Sequence, residues 1–439
     1  MTSSVRDGAA PGAALRRELG RWDLTAVGVN QVIGAAVFAQ PSLYAASVGA
    51  WGPWLVGAMG LASLLIALSF AEVGSRFDST GGPYLYTRAA FGRFAAFEVG
   101  WMQWVTRTVS WAAVINVLAT ALGFYIPALT SGWPRIVLIS AIIVTIAIIN
   151  VRGIRLSSFV LNVLTIGKLL PLVVFIAVGI FFVEPSRLTL GSAPAVSDLA
   201  ATALLLIFAF GGYEVIPVPA GEAKDPRHAV PFALIMTIVT VAVVMTAVQI
   251  VALGTLPGLA SSRTPLADAS LLFMGAGGAA LLTIGAVFST SGNNMGQALS
   301  GSRSMFALAE HGDLPPVFAR VHPRFRTPET AIIVTSAVAL VLALSGRYTT
   351  LALASAVSRL VVYGATCAAT LRLRSPRFAS QVSPATFVTP LGPLIPSAAI
   401  AITLMMLAGA RREQLLAGAI ALAVGALLFA IAARRRGRG

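Results

Sequence analysis

The chain has 439 residues, of which 57% are hydrophobic and only 11% charged. A soluble domain carries about 25% charged residues. The net charge of +15 does not mark a nucleic-acid binder, because the basic residues follow the loops between apolar segments; the single cysteine, Cys367, excludes disulfides and cysteine-based metal centres.

Apolar segments of about 18 residues or more recur along the whole length, the mark of a polytopic helical membrane protein. The strand alternation of an outer-membrane barrel is absent. Twelve spans are expected, at 23–46, 53–75, 95–125, 135–150, 157–183, 199–220, 230–254, 271–297, 329–345, 350–370, 387–409 and 414–433. The first twenty residues have no apolar core of signal-peptide length, so the first span is expected to be retained. With the N-terminus inside, 22 of the 31 basic residues fall in cytoplasmic segments, six in external ones, and Arg107, Lys168 and Arg359 inside spans. The positive-inside rule then puts both termini in the cytoplasm of a cell with this chain in its inner (plasma) membrane. The basic tail ARRRGRG reads as a topology anchor.

In chain order, the first oddity is NQVIGAAVF at 30–38, where Asn30, Gln31 and Gly34 interrupt the middle third of span one. A break there exposes N–H groups at the start of one half-helix and C=O groups at the end of the other. The N–H end attracts a carboxylate and the C=O end an ammonium, and an α-amino acid carries both on one carbon. Gly34, Ala35 and Ala36 are small enough to let a ligand reach the backbone. Close helix packing explains small residues as well. Next come three intramembrane ionisable groups, functional candidates by default: Arg107 in span three, Lys168 about eleven residues into span five, and Glu214 in span six. Arg359 in span ten is a fourth.

Span six, LLLIFAFGGYEVIPVPAGE, carries Gly211, Gly212, Pro217 and Pro219. Such residues weaken or remove backbone hydrogen bonds, which lipid tolerates only where the break lines a buried cavity. Breaks at Gly34 and Gly211 lie at matching depths five helices apart. This layout points to a five-plus-five inverted repeat with its binding site at the midplane. The expected organisation is a cytoplasmic tail (1–21), a ten-helix transport core (22–374), two additional helices (375–433) and a basic tail (434–439). Span eight presents a small face of Gly285, Ser289, Gly292 and Gly296. His228, His311 and His322 fall in loops, so no histidine relay crosses the membrane.

Four motifs then carry a resemblance over nearly the whole chain. They are VIGAAVF at 32–38, STGGPYLYTRAAFG at 79–92, FAFGGYE at 208–214 with GEAKDPRHAVPFAL after it, and SGSRSMFALAEHGDLPPVFARVHPRFRTP at 300–328. In this order they resemble the amino acid–polyamine–organocation superfamily of amino acid permeases. The resemblance implies an all-α, leucine-transporter-type fold of about twelve helices, with helices one and six broken.

It also implies roles for single residues. The substrate carboxylate would rest on amides of Gly34, Ala35 and Ala36, and the amine on carbonyls of Val32, Phe208 and Gly211. Ala35 stands where the family often has a hydroxyl. Phe208 or Phe210 would be an aromatic gate, or simply packing. Lys168 matches a helix-five lysine that replaces the sodium ion of sodium-coupled relatives, within reach of the first-helix break and of Ser289 and Thr290. It would couple transport to protons. Glu214 matches an acid implicated in proton sensing, or serves as partner to a buried arginine. Arg107 would read the distal end of the substrate, or pair with Glu214, Glu98 or Glu72, the pairing being favoured. The implied function is sodium-independent, proton-coupled secondary transport of an amino acid by alternating access, with exchange as the alternative. No cofactor is expected. A membrane enzyme would need a nucleophile–base or metal constellation, and a channel would need filter rings, and neither pattern is present.

Overall fold

The computed structural model describes residues 15–34, 36–129, 131–345 and 348–436. Among the described residues there are fifteen α-helices: α1 (Arg21–Val32), α2 (Ala36–Val48), α3 (Gly52–Gly74), α4 (Pro83–Phe91), α5 (Arg93–Tyr125), α6 (Gly132–Arg152), α7 (Ile154–Gly179), α8 (Val196–Phe210), α9 (Pro226–Thr255), α10 (Pro265–Glu310), α11 (Glu329–Leu344), α12 (Tyr348–Arg374), α13 (Pro376–Ala379), α14 (Leu394–Ala408) and α15 (Arg412–Arg436). Every expected span has a helix in it, and spans one, six and eight depart furthest from a single straight helix. Span one is two helices, α1 and α2. Span six is helical only to Phe210 and then passes into a 3₁₀ turn at Tyr213–Val215. Span eight is a 46-residue run kinked at Gly275, whose φ of +65° departs from helix.

Six helical stretches among the described residues are long and apolar enough to cross a membrane: Ala36–Gly74, Gly132–Arg152, Ile154–Phe182, Pro226–Thr255, Pro265–Glu310 and Arg412–Ala433. At 12 and 15 residues, α1 and α8 fall short alone, since a crossing takes about 20 residues. Each is the first half of a broken segment. Proline opens α4, α9 and α10, where its missing N–H and fixed φ cost nothing.

The packing puts the breaks at the centre. α1 is enclosed by α7, α9 and α10, while α5 packs against α10, α11 and α12. α14 lies on α12 and α3, and α15 on α12 and α5. Small residues allow the close approaches. A Cβ on Gly60 of α3 would stand 2.6 Å from the Cβ of Ala242 on α9.

At the end where α1 begins and α10 finishes, the chain is tied by ion pairs. Arg303 donates from Nε and Nη2 to the two oxygens of Glu222 at 2.8 and 3.0 Å, and both side chains are fully buried. The Glu222 carbonyl accepts the N–H groups of Glu18 and Leu19, and Lys224 N–H returns to Leu19 O, all at 2.9 Å. Arg374 forks onto Glu72, and Arg93 reaches Asp313 at 2.5 Å. Arg303→Met would leave the Glu222 charge buried and unpaired, at an expected cost of about 3–5 kcal/mol. The double variant Arg303→Met/Glu222→Leu should recover most of that loss. Thermal unfolding of the solubilised protein checks this: a single variant as stable as wild type would mean that the pair does not hold this end.

Candidate functional site

The first break is a tight turn. Gly34 N–H donates to the Val32 carbonyl at 2.9 Å. The family resemblance implies opposite ends of a substrate for these two groups. Here they satisfy each other, because a chain leaving a helix closes its orphan groups locally where geometry allows. Ala35 lies outside the described residues. Ala36 opens α2 and is half-buried.

The carbonyls around the turn are held by side chains from α7 and α10. Lys168 is fully buried, and its Nζ donates to Ile33 O at 2.6 Å, to Asn30 O at 3.3 Å and, at the limit of a bond, to Ser289 O at 3.5 Å. Ser289 Oγ donates to Ile33 O and Gly34 O at 2.9 and 3.1 Å. So Lys168 and Ser289 converge on one carbonyl, that of Ile33. Lys168 meets the backbone of Ser289 rather than its hydroxyl. Thr290 does not join them: its hydroxyl turns back to Ala286 O at 2.7 Å, the usual intrahelical outlet for a threonine.

Three amides complete this cluster, Gln31 of the first break and two that the sequence does not flag, Asn293 and Gln297. Asn293 Nδ2 donates to Gln31 O at 3.1 Å and Asn30 O at 3.3 Å, and Gln31 Nε2 answers onto Asn293 O at 3.0 Å. Gln297 Nε2 reaches Asn293 Oδ1 at 3.3 Å. The signal was present as NNMGQ at 293–297, polar residues in the same span as Ser289. The small face of α10 makes room for the first helix. A Cβ on Gly292 would come within 2.0 Å of Asn30 Oδ1, and one on Gly296 within 2.1 Å of Gln31 Nε2.

The second break meets the first. α8 stops at Phe210, and Gly212 takes φ +135°, a conformation that a residue with a Cβ rarely adopts. A Cβ there would stand 2.7 Å from the Gln31 backbone, and one on Gly211 would stand 2.2 Å from Arg359 Nη1. Phe210 is buried, with its ring tip near Gly60 of α3. The backbone of Phe208 is in α8; its side chain lies outside the described residues.

Glu214 gathers α5, α8 and α12. Its Oε1 takes Arg107 Nη2 at 2.5 Å and lies 3.2 Å from Arg359 Nε. Its Oε2 accepts the Tyr363 hydroxyl at 2.7 Å and the Gly212 N–H at 2.8 Å. Tyr363 stacks on Tyr213 with centroids 5.3 Å apart, and Phe70 meets both edge-on. Of the acids named as partners for Arg107, the structure pairs it with Glu214. Glu72 is engaged by Arg374, and Glu98 faces Gly425 on α15.

Away from the breaks, an apolar crevice of about 240 Å³ opens between α6, α7 and α10, with Ile146, Val160, Leu164 and Met295 among its walls. His228 stands in the first turn of α9 against Asp225, not in a loop, because Pro226 starts the helix earlier than the hydropathy indicates. His311 caps α10.

Comparison with known proteins agrees with this architecture. A family model described as amino acid permease matches residues 19–429. An uncharacterized transporter of Mycobacterium tuberculosis is 32% identical over 75% of this chain and 74% of its own. The serine/threonine exchanger SteT of Bacillus subtilis is 31% identical over 75% and 77%. The methylthioribose transporter of the same organism is 27% identical over 96% and 94%. With two broken helices meeting at a shared polar centre and the family model covering nearly the whole chain, the protein belongs to the amino acid permease family, membrane transporters rather than enzymes.

Proposed function

We propose that this chain carries α-amino acids or close relatives across the plasma membrane by alternating access, without sodium and coupled to protons through Lys168. The observation that carries the reading is the ammonium of Lys168 on the Ile33 carbonyl, beside the Ser289 hydroxyl. Carbonyl and hydroxyl oxygens are the ligands a hard cation takes. A fixed ammonium on those oxygens supports a cycle that needs no sodium. Glu214 is a weaker candidate for the moving proton, since three donors already bond its two oxygens and a second guanidinium, that of Arg359, lies 3.2 Å away.

The turn at Gly34 suggests how substrate enters. Its carboxylate would take the Gly34 N–H, with the amides of Ala35 and Ala36 beside it. Its ammonium would take the Val32 carbonyl, with those of Phe208 and Gly211 opposite. One internal hydrogen bond would be exchanged for charge-assisted ones, which are about twice as strong. Phe208 is the candidate gate, because Phe210 packs toward α3. The contact of the two breaks supports the five-plus-five repeat, with α14 and α15 outside it and both termini in the cytoplasm.

Replacing sodium by choline at fixed pH should leave amino acid uptake into proteoliposomes unchanged, while an inward proton gradient should raise it several-fold. A steep sodium dependence would refute the role given to Lys168. Exchange is the second reading, favoured by the relative named as a serine/threonine exchanger. It would show as uptake that requires internal amino acid and ignores the proton gradient.

A further inference from the structure

We infer that Arg372 and Arg377 hold the headgroup phosphate of an anionic phospholipid, in the leaflet that surrounds the end of the bundle where α1 begins and α10 finishes. Arg372 stands in the last turn of α12, just past the expected end of span ten at residue 370, and Arg377 stands on α13, the short helix that follows. Both side chains are exposed. An apolar run of spanning length ends where the hydrocarbon does, so this corner lies at headgroup level.

The two arginines are set apart from their neighbours by having no anion. Among the described residues, neither guanidinium has an ion-pair or hydrogen-bond partner. Other arginines at this end are engaged: Arg374 by Glu72, Arg93 by Asp313 and Arg303 by Glu222. Arg227 donates to the carbonyls of Ser75 and Pro384. Those pairs occupy Glu72 and Asp313, the acids that reach the ends of α12 and α5. A cation in the last turn of α12 offsets the helix dipole. That accounts for Arg372 in its helix, but not for Arg377 or for the rings around both.

Aromatic rings hold them in place. Arg372 Cζ lies 5.2 Å from the ring centre of Phe91, the last residue of α4, and 4.5 Å from that of Phe378 on α13. Arg377 Cζ lies 5.7 Å from the same Phe378 ring. A ring face attracts a guanidinium without accepting its N–H donors as a carboxylate would. Two forks of donors therefore stand around one ring, positioned and unspent. Phosphate oxygens match such a fork. The surface beside them tells a lipid from a free ion. Phe91 and Phe94, at the joint of α4 and α5, are 38% and 52% exposed. Acyl chains cover that apolar surface, and inorganic phosphate leaves it bare.

The test is native mass spectrometry of the purified full-length protein, titrated with phosphatidylglycerol or phosphatidylcholine, with a thermal-shift series that compares phosphatidylglycerol with inorganic phosphate. The expected result is retention of phosphatidylglycerol at least about fivefold tighter than phosphatidylcholine, with inorganic phosphate giving no matching stabilisation. The preference should fall toward parity in Arg372→Gln/Arg377→Gln. It should persist in Arg411→Gln/Arg412→Gln, which removes the same charge from the start of α15, the end far from the Phe429 contact with Arg93. Phe378→Ala keeps both charges but frees them, and should lose part of the preference. All four arginines are exposed, so these changes spare the core, and the wild-type comparison needs no variant to fold. Equal retention of the two lipids by wild type would overturn the inference. So would a preference that survives intact in Arg372→Gln/Arg377→Gln, or one lost equally in both double variants, which would be an effect of net charge alone. Inorganic phosphate stabilising as well as the lipid would make the ligand a soluble anion and refute the lipid.

Discussion

Lys168→Ala is expected to abolish the response of uptake to a proton gradient and to remove most net transport, at least about tenfold, while substrate still binds. The ammonium makes its shortest bond to the Ile33 carbonyl and a longer one to Asn30 O, tying α7 to the last turn of α1. Ser289 holds the same Ile33 carbonyl from α10. With the lysine gone, α10 keeps its grip on the break and α7 loses its own. The groups proposed to bind substrate at the Gly34 turn therefore survive, and the linkage between helices does not. A dry site opposes the charged form of a lysine, and carbonyl oxygens favour it. On the proton-coupled reading proposed above, the protonated form would tie α7 to the break and the neutral form would release it. Lys168→Arg should also stall the cycle, because a guanidinium stays protonated throughout. The measurement is uptake against external pH in vesicles with matched protein levels. Wild-type-like, pH-responsive uptake by Lys168→Ala would sink the coupling role and pass it to Glu214.

Much of this site was legible in the chain before any fold was known. Gly34 and the Gly211–Gly212 pair stand out because helix-weakening residues in a span need a reason, and that reason is local. Lys168 stands out because an isolated charge in an apolar run is costly wherever it packs. Ser289 follows from the small face of its helix. What could not be read is what depends on three-dimensional closure. Arg107, Glu214, Arg359 and Tyr363 come from three helices separated by more than 100 residues of chain, yet they form one cluster. Nothing local to Gly34 says that its N–H will bond Val32 rather than stay open, since that depends on ψ at Ile33, which is 86°. Asn293 is not legible in the sequence because an amide in a span carries no charge to flag it, although it holds two carbonyls of α1. α10 runs past the end of its apolar segment because its last turns, from Ser300 to Ala309, are buried in protein. Hydropathy against lipid does not limit a helix there.

The three glycines at the breaks should differ sharply in tolerance to a single methyl group, with Gly212→Ala the most damaging. Its φ of +135° disfavours any Cβ, a strain on the order of 1–3 kcal/mol. The methyl would also stand 2.7 Å from the backbone carbon and oxygen of Gln31, in the other broken helix. Backbone cannot rotate aside as a side chain can, so the two breaks must separate. The Gly212 N–H bond to Glu214 would be disturbed with them. Gly211→Ala meets Arg359 Nη1 at 2.2 Å, but that atom ends a long side chain which can withdraw at the expense of its contact with Glu214. Its effect should therefore be smaller than that of Gly212→Ala. Gly34→Ala meets only Asn293 Nδ2 at 3.3 Å, a few tenths of an ångström too close, and should be nearly tolerated. Gly34→Leu is a different case, because its larger side chain must enter the space where a substrate would approach the turn. The ranking is read by size-exclusion profile for folding, and by thermal shift with and without added amino acid for binding. Gly212→Ala should lose at least about tenfold in affinity or fail to give a monodisperse peak. A monodisperse Gly212→Ala protein that binds as tightly as Gly34→Ala would show that the two breaks do not need to touch.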